Sequence, residues 1–477
     1  MAPNTVAVVG AGPVGCLTAI GFAERGYDVA LYESQPESSF TKQPTSSQRS
    51  INLAVSVRGI TALRAVGGAG DDEHRSIADQ VLSEAVPMSA RMIHVHDADG
   101  HVRLDRQPYS TKGECIYSFE RAKLNWMLLQ QAAEHPRVHL YFQHTLVHVH
   151  RARDNDEVQL VFRVPDRMEP ARANYGLVAA CDGVHSAVRT KIAPLARINT
   201  VQEYIDSGYV ELRVPPGKSD TLSPAWQLSV SCLHIWPRHD YMLIALPNVD
   251  GSFTSTLFAP FRVFAEHCRD RASALAFFRD NFPDALAVMD ADELVEHLTS
   301  RMPSSLGSVQ CTPMHAGSSV VLLGDAAHGM VPFYGQGLNC GLEDVRVFFE
   351  ELDAALATHG KLPDAQGVAL RNYTAHRTAD VRAIQLLAQE NYTEMRSKVV
   401  RRDYQLRKWL DGVLTRTLPS GAWKSLYEMV TFSNMGYATA RCNELRQQRI
   451  LRDTLSAVGL TLLWGASWAV YRACRSA

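Results

Sequence analysis

The stretch Val6-Ala-Val-Val-Gly10-Ala-Gly12-Pro-Val-Gly15-Cys-Leu-Thr-Ala-Ile-Gly-Phe-Ala-Glu-Arg-Gly-Tyr-Asp-Val-Ala-Leu-Tyr-Glu33 decides the fold. An apolar run enters a glycine-rich turn, residues with helical spacing follow, and a second apolar run ends on an acid. Residues 5 to 35 therefore read as a βαβ unit carrying the G-x-G-x-x-G pattern. Gly10 makes the tight turn, Gly12 lets backbone approach a pyrophosphate, and Gly15 lets the helix pack on the strand. Glu33 ends the second strand, where its carboxylate accepts ribose hydroxyls and disfavours a 2′-phosphate. The expected ligand is an adenosine dinucleotide such as NAD or FAD.

Two later stretches repeat the theme of a strand ending in an acid. Leu177-Val-Ala-Ala-Cys-Asp182-Gly183-Val-His-Ser186 is followed by Arg189 on a helix start. Val320-Val-Leu-Leu-Gly-Asp325-Ala-Ala-His-Gly-Met-Val-Pro-Phe333-Tyr-Gly-Gln-Gly-Leu338-Asn339 runs through a Gly- and Pro-rich turn into a long helix. Free backbone N–H groups and the positive end of that helix suit an electron-accepting ligand. Only one G-x-G-x-x-G is present. A nicotinamide would leave Asp182 and Asp325 without a task, whereas FAD is long enough to use all three stretches.

The fold class read from this order is α/β: a Rossmann-type FAD-binding domain with an inserted antiparallel-sheet substrate domain and a helical C-terminal region. Residues 1–200 form the first part of the FAD-binding domain and 311–360 the second. Strand-like runs split by Pro and Gly occupy the insertion, 201–310. Helical spacing fills 361–450.

The chain has 477 residues, which suggests two domains or one large composite one. Its 48 Lys plus Arg against 50 Asp plus Glu give no electrostatic case for nucleic acid. Nine scattered cysteines without a C-x-x-C pair read as reduced thiols in a cytosol-facing protein. The histidines show no ligand spacing, so no metal site is expected. A strand starting at Thr5 leaves no room for a signal or transit peptide. Residues 454–471 (TLSAVGLTLLWGASWAVY) are uncharged and flanked by arginines. At about 1.5 Å per residue this run just spans a hydrocarbon core of about 30 Å, with Trp464, Trp468 and Tyr471 as interface anchors. A C-terminal membrane anchor is expected, against the alternative of a soluble helix packing on the body.

The three stretches together resemble the flavin-dependent aromatic hydroxylases with a single dinucleotide domain. Gln48-Arg-Ser-Ile-Asn-Leu-Ala, Pro87-Met-Ser-Ala-Arg-Met-Ile-His, Leu233-His-Ile-Trp-Pro-Arg, Val331-Pro-Phe-Tyr-Gly-Gln-Gly-Leu-Asn, Glu390-Asn-Tyr-Thr-Glu-Met-Arg and Tyr427-Glu-Met-Val-Thr-Phe-Ser narrow the resemblance to the kynurenine 3-monooxygenases over nearly the whole chain. Ser89 stands where that family commonly has Arg, and Tyr334 where Phe or His is usual. The resemblance implies hydroxylation of L-kynurenine to 3-hydroxy-L-kynurenine in tryptophan catabolism, with bound FAD, transient NADPH, O2 and a flavin C4a-hydroperoxide. It also implies the mitochondrial outer membrane as location.

For the substrate it implies Arg91 and Tyr109 on the carboxylate, Asn391 and Tyr427 completing the polar grip, and Phe333 placing the ring. For the cofactor it implies Gly10, Gly12, Gly15, Glu33, Arg49, Ala54, Arg121, Leu146, Asp182, Asp325, Leu338 and Asn339. No side chain is expected to act as a catalytic base, because the aniline already activates the ring carbon ortho to its amino group. The protein must instead exclude water. Two rival readings stay open: a flavin hydroxylase on a phenolic acid or squalene-like lipid, whose pocket would lack a buried Arg, and a non-catalytic escort protein on the same fold, which would need no flavin.

Overall fold

Strand β1 (Thr5–Val9) has the sequence TVAVV with four of its five residues buried, and a strand apolar on both faces is stable only inside a covered sheet. It pairs in parallel with β2 (Asp28–Tyr32) and β12 (Leu177–Ala180). β2 extends the sheet to β8 (Val138–Tyr141), and β12 extends it to β19 (Val320–Leu322), both in parallel. The two-residue β18 (His315–Ala316) closes that edge antiparallel. Helices α1 (Pro13–Glu24), α2 (Val57–Val66), α3 (Ile77–Ser83), α4 (Arg121–Glu134) and α5 (Ala187–Ala196) belong to this part of the chain. The computed structural model describes residues 5–40, 52–67, 76–96, 101–110, 112–151, 157–165, 167–218, 225–397, 402–419 and 421–476.

A second, seven-stranded sheet has the order β17-β13-β16-β15-β14-β5-β6. Its members are β5 (Ala90–His96), β6 (Val102–Pro108), β13 (Asn199–Val214), β14 (Cys232–Arg238), β15 (Tyr241–Pro247), β16 (Phe253–Ala259) and β17 (Ser304–Thr312). All neighbours are antiparallel except β14 and β5, whose parallel register sets Leu233 opposite Arg91. β5 and β6 come from within residues 1–200, so this sheet is not confined to the stretch 201–310. Alternating runs around residues 90 and 104 say that strands exist there, but not which sheet edge they join. Two three-stranded sheets complete the β structure: β3 (Asn52–Val55), β7 (Ile116–Glu120) and β4 (Val86–Met88), and β11 (Ala171–Tyr175), β10 (Val158–Arg163) and β9 (Thr145–Arg151).

One face of the seven-stranded sheet buries Trp236, Leu243, Phe253 and Leu257 against α6 (Phe261–His267), α7 (Arg271–Asn281), α8 (Pro283–Leu286) and α9 (Ala291–Thr299). A polar chain pins α8 to this face. His94 Nδ1 meets Asp284 Oδ2 at 2.5 Å, His94 Nε2 meets His234 Nδ1 at 2.8 Å, and Trp236 donates to Asp284 at 2.8 Å. Burial holds the His234 imidazole down to about 4, against 6.5 ordinarily. As pH falls from 6.5 to about 4, the unfolded chain takes up this proton and the folded one does not. Stability is full above 6.5 and is lost over that window, by roughly 3 kcal/mol from this group. Urea titrations at the two pH values should show the drop in the native protein and a smaller one in His234→Gln; equal slopes would contradict it.

The C-terminal region is helical as the spacing predicts: α10 (Asp325–His328), α11 (Gly337–His359), α12 (Leu362–Ser397), α13 (Arg402–Thr417), α14 (Leu426–Thr431) and α15 (Tyr437–Ser476). Within the helical stretch 361–450 the chain is broken between α14 and α15. Residues 454–471 lie within α15, but among the described residues no helix is long and apolar enough to cross a membrane. Most side chains beyond 454 lie outside the described residues. The expected spanning segment therefore has its helix but no structural support as a span.

Candidate functional site

Strands β19, β12 and β1 are adjacent and parallel, so Gly324-Asp325, Asp182 and the Gly10 turn come together at one carboxyl edge of the sheet. Ligands bind outside such edges in α/β sheets. Gly10 has φ +98°, and a Cβ there would lie 2.5 Å from the Cys181 carbonyl oxygen. A Cβ on Gly15 would lie 1.9 Å from the Gly10 oxygen. Helix, turn and neighbouring strand thus touch backbone to backbone. Gly12 is different, since a Cβ there would meet no protein atom within 4 Å. It faces open space at the start of α1, where Pro13 occupies the first turn and no side chain caps the free N–H groups.

Glu33 braces this turn. Its Oε2 accepts from Ala11 N at 2.9 Å and its Oε1 from Gln35 N at 2.8 Å. His144 N donates to the Glu33 carbonyl at 2.9 Å, which brings the start of β9, with Leu146, to the same end of the cleft. The Leu146 side chain is buried in the core, and the residue pairs with Phe162 in the β9–β10 ladder.

Asp182 accepts from Ser186 Oγ at 2.5 Å and from Val188 N at 3.0 Å. Its carboxylate is taken up by the start of α5, and burial pushes it above the ordinary range while those hydrogen bonds oppose. Asp182 therefore shapes the cleft rather than offering a free carboxylate to it. Arg189 donates to the Ala326 carbonyl at 2.9 Å and so ties α5 to α10. Asp325 is solvent-accessible on its cleft side, yet the surrounding protein pushes its carboxyl up, with the charges of His328 and Arg121 opposing. Arg121, the exposed first residue of α4, thus shares the cleft with Asp325. Arg49 lies outside the described residues.

The Asn339 side chain is fully occupied: Oδ1 accepts from Ser56 N at 2.8 Å, and Nδ2 donates to the Ala54 and Gly335 carbonyls at 2.8 Å. It clamps β3 to the turn that precedes α11. Gly335, at φ +66°, leaves a prospective Cβ 3.3 Å from Ala54 Cβ. No side chain caps α11, so Gly337, Leu338 and Asn339 present first-turn N–H groups. An open glycine, an accessible acid beside an arginine and two uncapped helix starts on one edge fit FAD.

Beyond this turn the predicted substrate residues gather in two adjoining groups. Arg91, on β5, is only 7% exposed. Its guanidinium lies 4.8 Å from the Tyr427 ring centroid and 5.6 Å from that of Tyr109. Those two rings stack at 4.9 Å, and Tyr334 stacks on Tyr427 from its other side at 6.1 Å. Burial pushes both the Tyr109 and Tyr427 hydroxyls up, with Arg91 opposing. The buried Tyr109 hydroxyl makes no well-formed hydrogen bond among the described residues.

In the second group Phe333 is buried, stacked on Tyr392 at 4.0 Å and set edge-on to Phe258 at 5.1 Å. Asn391 Nδ2 donates to the Phe333 carbonyl at 2.7 Å, so it positions the turn. Leu233 and Ile244 pack against both groups and join them.

Several residues were not singled out from sequence. Glu394 lies 3.8 Å from Arg91, and its place one turn after Asn391 was a usable signal. Lys408 donates to Gln107 at 2.9 Å, directly opposite Arg91 in the β5–β6 register. Burial, then the charge of Arg91, lowers this ammonium to about 8. No local pattern marks Lys408, because α13 reaches the site only through tertiary packing.

A model of the FAD binding domain family matches residues 4–386. Kynurenine 3-monooxygenase of Mycosarcoma maydis is 40% identical, over 98% of this chain and 93% of that protein. The enzyme of the same name from Caenorhabditis elegans is 36% identical over 98% of each. Among solved structures, Pseudomonas aeruginosa PqsL in complex with 2-aminobenzoylacetate matches with a TM-score of 0.63 at 18% identity, covering 85% of this chain and 99% of that one. The tetrameric form of 2-methyl-3-hydroxypyridine-5-carboxylic acid oxygenase matches with a TM-score of 0.61, also at 18% identity, covering 83% and 94%. These structures share the fold, and the full-length sequence relatives carry the assignment further: the chain is an FAD-dependent enzyme and belongs to the kynurenine 3-monooxygenase family.

Proposed function

We propose that the enzyme converts L-kynurenine, NADPH, H+ and O2 to 3-hydroxy-L-kynurenine, NADP+ and water. The observation that carries the substrate is Arg91, a guanidinium buried against the Tyr109 and Tyr427 rings, with Glu394 3.8 Å away. A substrate carboxylate can meet a guanidinium bidentately. A phenol or a lipid tail offers the guanidinium no carboxylate. The Tyr109 hydroxyl supplies a further donor beside it.

Bound FAD supplies the redox chemistry, passing electrons from NADPH to O2 so that one oxygen atom reaches an electron-rich ring. The α1 start at Gly12 would hold the pyrophosphate, Asp325 and Arg121 the central chain, and the first turn of α11 the flavin ring. The other residues do positional work. Arg91 and the tyrosines fix the amino-acid end, Asn391 holds the turn bearing Phe333, and the Phe333–Tyr392 wall keeps water away. Purified protein should be yellow, oxidise NADPH faster with L-kynurenine and release the 3-hydroxy product. Colourless protein, or oxidation indifferent to L-kynurenine, would overturn the proposal.

We further propose that the C-terminal helix attaches the enzyme to the mitochondrial outer membrane with its body in the cytosol. The support is the uncharged run flanked by arginines, with Trp464 and Trp468 exposed and stacked at 6.3 Å. Removing the residues after Asp453 should shift the protein from the membrane pellet to the supernatant. Persistence in the pellet would contradict the attachment.

A further inference from the structure

A set of buried charges ties together elements that border the cleft without joining the residues proposed to hold the substrate. Arg58, fully buried in the first turn of α2, donates from Nη1 to Glu343 Oε1 at 2.8 Å. Arg377 of α12 donates to Glu343 Oε2 at 2.9 Å and to Asp344 Oδ1 at 2.7 Å. Asp344 Oδ2 also accepts from Gly324 N at 3.0 Å and contacts His328 Nε2. His328, Cys340 and Asp344 converge here, but Asp344 is already committed to Arg377, so the trio is part of an ion-pair lattice rather than a free ligand set.

The other donors of Arg58 point elsewhere. Nε donates to the Val430 carbonyl at 2.8 Å, and Nη2 donates to the Met435 carbonyl. These carbonyls lie at and just beyond the end of α14, the helix that carries Tyr427. The guanidinium also covers the Tyr437 ring at 3.9 Å, and the Tyr437 hydroxyl donates to Gln336 Oε1 at 3.0 Å. Gln336 is the N-cap residue of α11. One guanidinium thus fixes the substrate-side helix α14 to the flavin-side helix α11.

Stability alone does not account for this arrangement. Replacing a buried ion pair by well-packed apolar groups is often neutral or stabilising, and its best-attested use is to fix register. We infer that Arg58 is a positioning residue that sets α14 against the flavin-side turn and thereby couples NADPH consumption to hydroxylation. The inference rests on the proposed function. When the two halves are misplaced, water reaches the reduced cofactor. NADPH, H+ and O2 then give NADP+ and H2O2: the same two electrons leave NADPH, but no oxygen atom reaches the substrate.

The test uses FAD-loaded Arg58→Lys, Glu343→Gln and Tyr437→Phe. Flavin content, Tm, KM for L-kynurenine, hydroxylated product per NADPH oxidised and H2O2 are measured. Lysine keeps the charge towards Glu343 but cannot serve two carbonyls as well. In Arg58→Lys, product per NADPH should fall about threefold and KM rise about tenfold, with flavin retained. Tyr437→Phe, which deletes a single hydrogen bond, should lower the ratio about twofold with little change in Tm. If Arg58→Lys does not fold, the other two variants decide. Product ratios equal to that of the native enzyme in every folded variant, whatever their Tm, would reduce the lattice to a structural role and overturn the inference. A native enzyme that ignores L-kynurenine altogether would instead overturn the proposed function.

Discussion

Arg91→Ala is expected to raise the KM for L-kynurenine by about a hundredfold or more while FAD stays bound. A desolvated, charge-assisted contact between guanidinium and carboxylate is worth about 3 kcal/mol or more when one partner is removed, and each 1.4 kcal/mol is a factor of ten. Arg91 lies beyond the flavin-side turn, next to Leu233 in the sheet and against Tyr109 and Tyr427. Its loss therefore leaves the glycine cradle untouched. Arg91→Lys should recover only part of the affinity, because an ammonium cannot make the bidentate pair. Steady-state kinetics with flavin absorbance recorded on the same samples decide the matter. An unchanged KM would favour a substrate without a carboxylate.

Gly15→Ala should abolish flavin binding. Its methyl group would lie 1.9 Å from the Gly10 carbonyl oxygen, a backbone atom that cannot rotate away. Relief requires α1 to move off β1, and the pyrophosphate cradle moves with it. Strain of about 1–3 kcal/mol adds to the lost contacts, so FAD affinity should fall at least about a hundredfold and the protein should emerge colourless. Gly12→Ala separates cradle from scaffold. Its methyl group meets no protein atom within 4 Å, so thermal stability of the apoprotein should hold while flavin fluorescence titration shows weakened binding. Full flavin occupancy in both variants would mean that the ligand lies elsewhere.

The strand ends carrying Gly10, Asp182 and Asp325 were legible in the sequence because each is a local pattern: apolar strand, turn, helix start. Their convergence needed the sheet order, which no local pattern encodes. The chemistry at individual side chains was less legible. Asp182 and Asn339 look like ligands by position, yet their polar atoms are committed to Ser186 and Val188, and to Ser56, Ala54 and Gly335. A motif fixes where a residue stands in the chain, whereas its free lone pairs depend on neighbours far away in sequence. The recruitment of β5 and β6, the approach of Lys408 and the reach of Arg58 to the end of α14 belong to this second kind. Arg91, Tyr109 and Tyr427 are an intermediate case. The family resemblance singled them out, and the structure brings them into contact, with two stacked rings beside one guanidinium.

The sheet order β19-β12-β1 also constrains how the enzyme is made. A nascent chain displays its glycine turn early during synthesis, but Asp325 and the first turn of α11 emerge from the ribosome only after most of the protein has been translated. The early segments must wait as an unfinished half-cleft, so with FAD placed as proposed, cofactor loading belongs to the end of biosynthesis. Chains interrupted before residue 337 would possess the dinucleotide signature and still be unable to retain flavin, however abundant the vitamin supply.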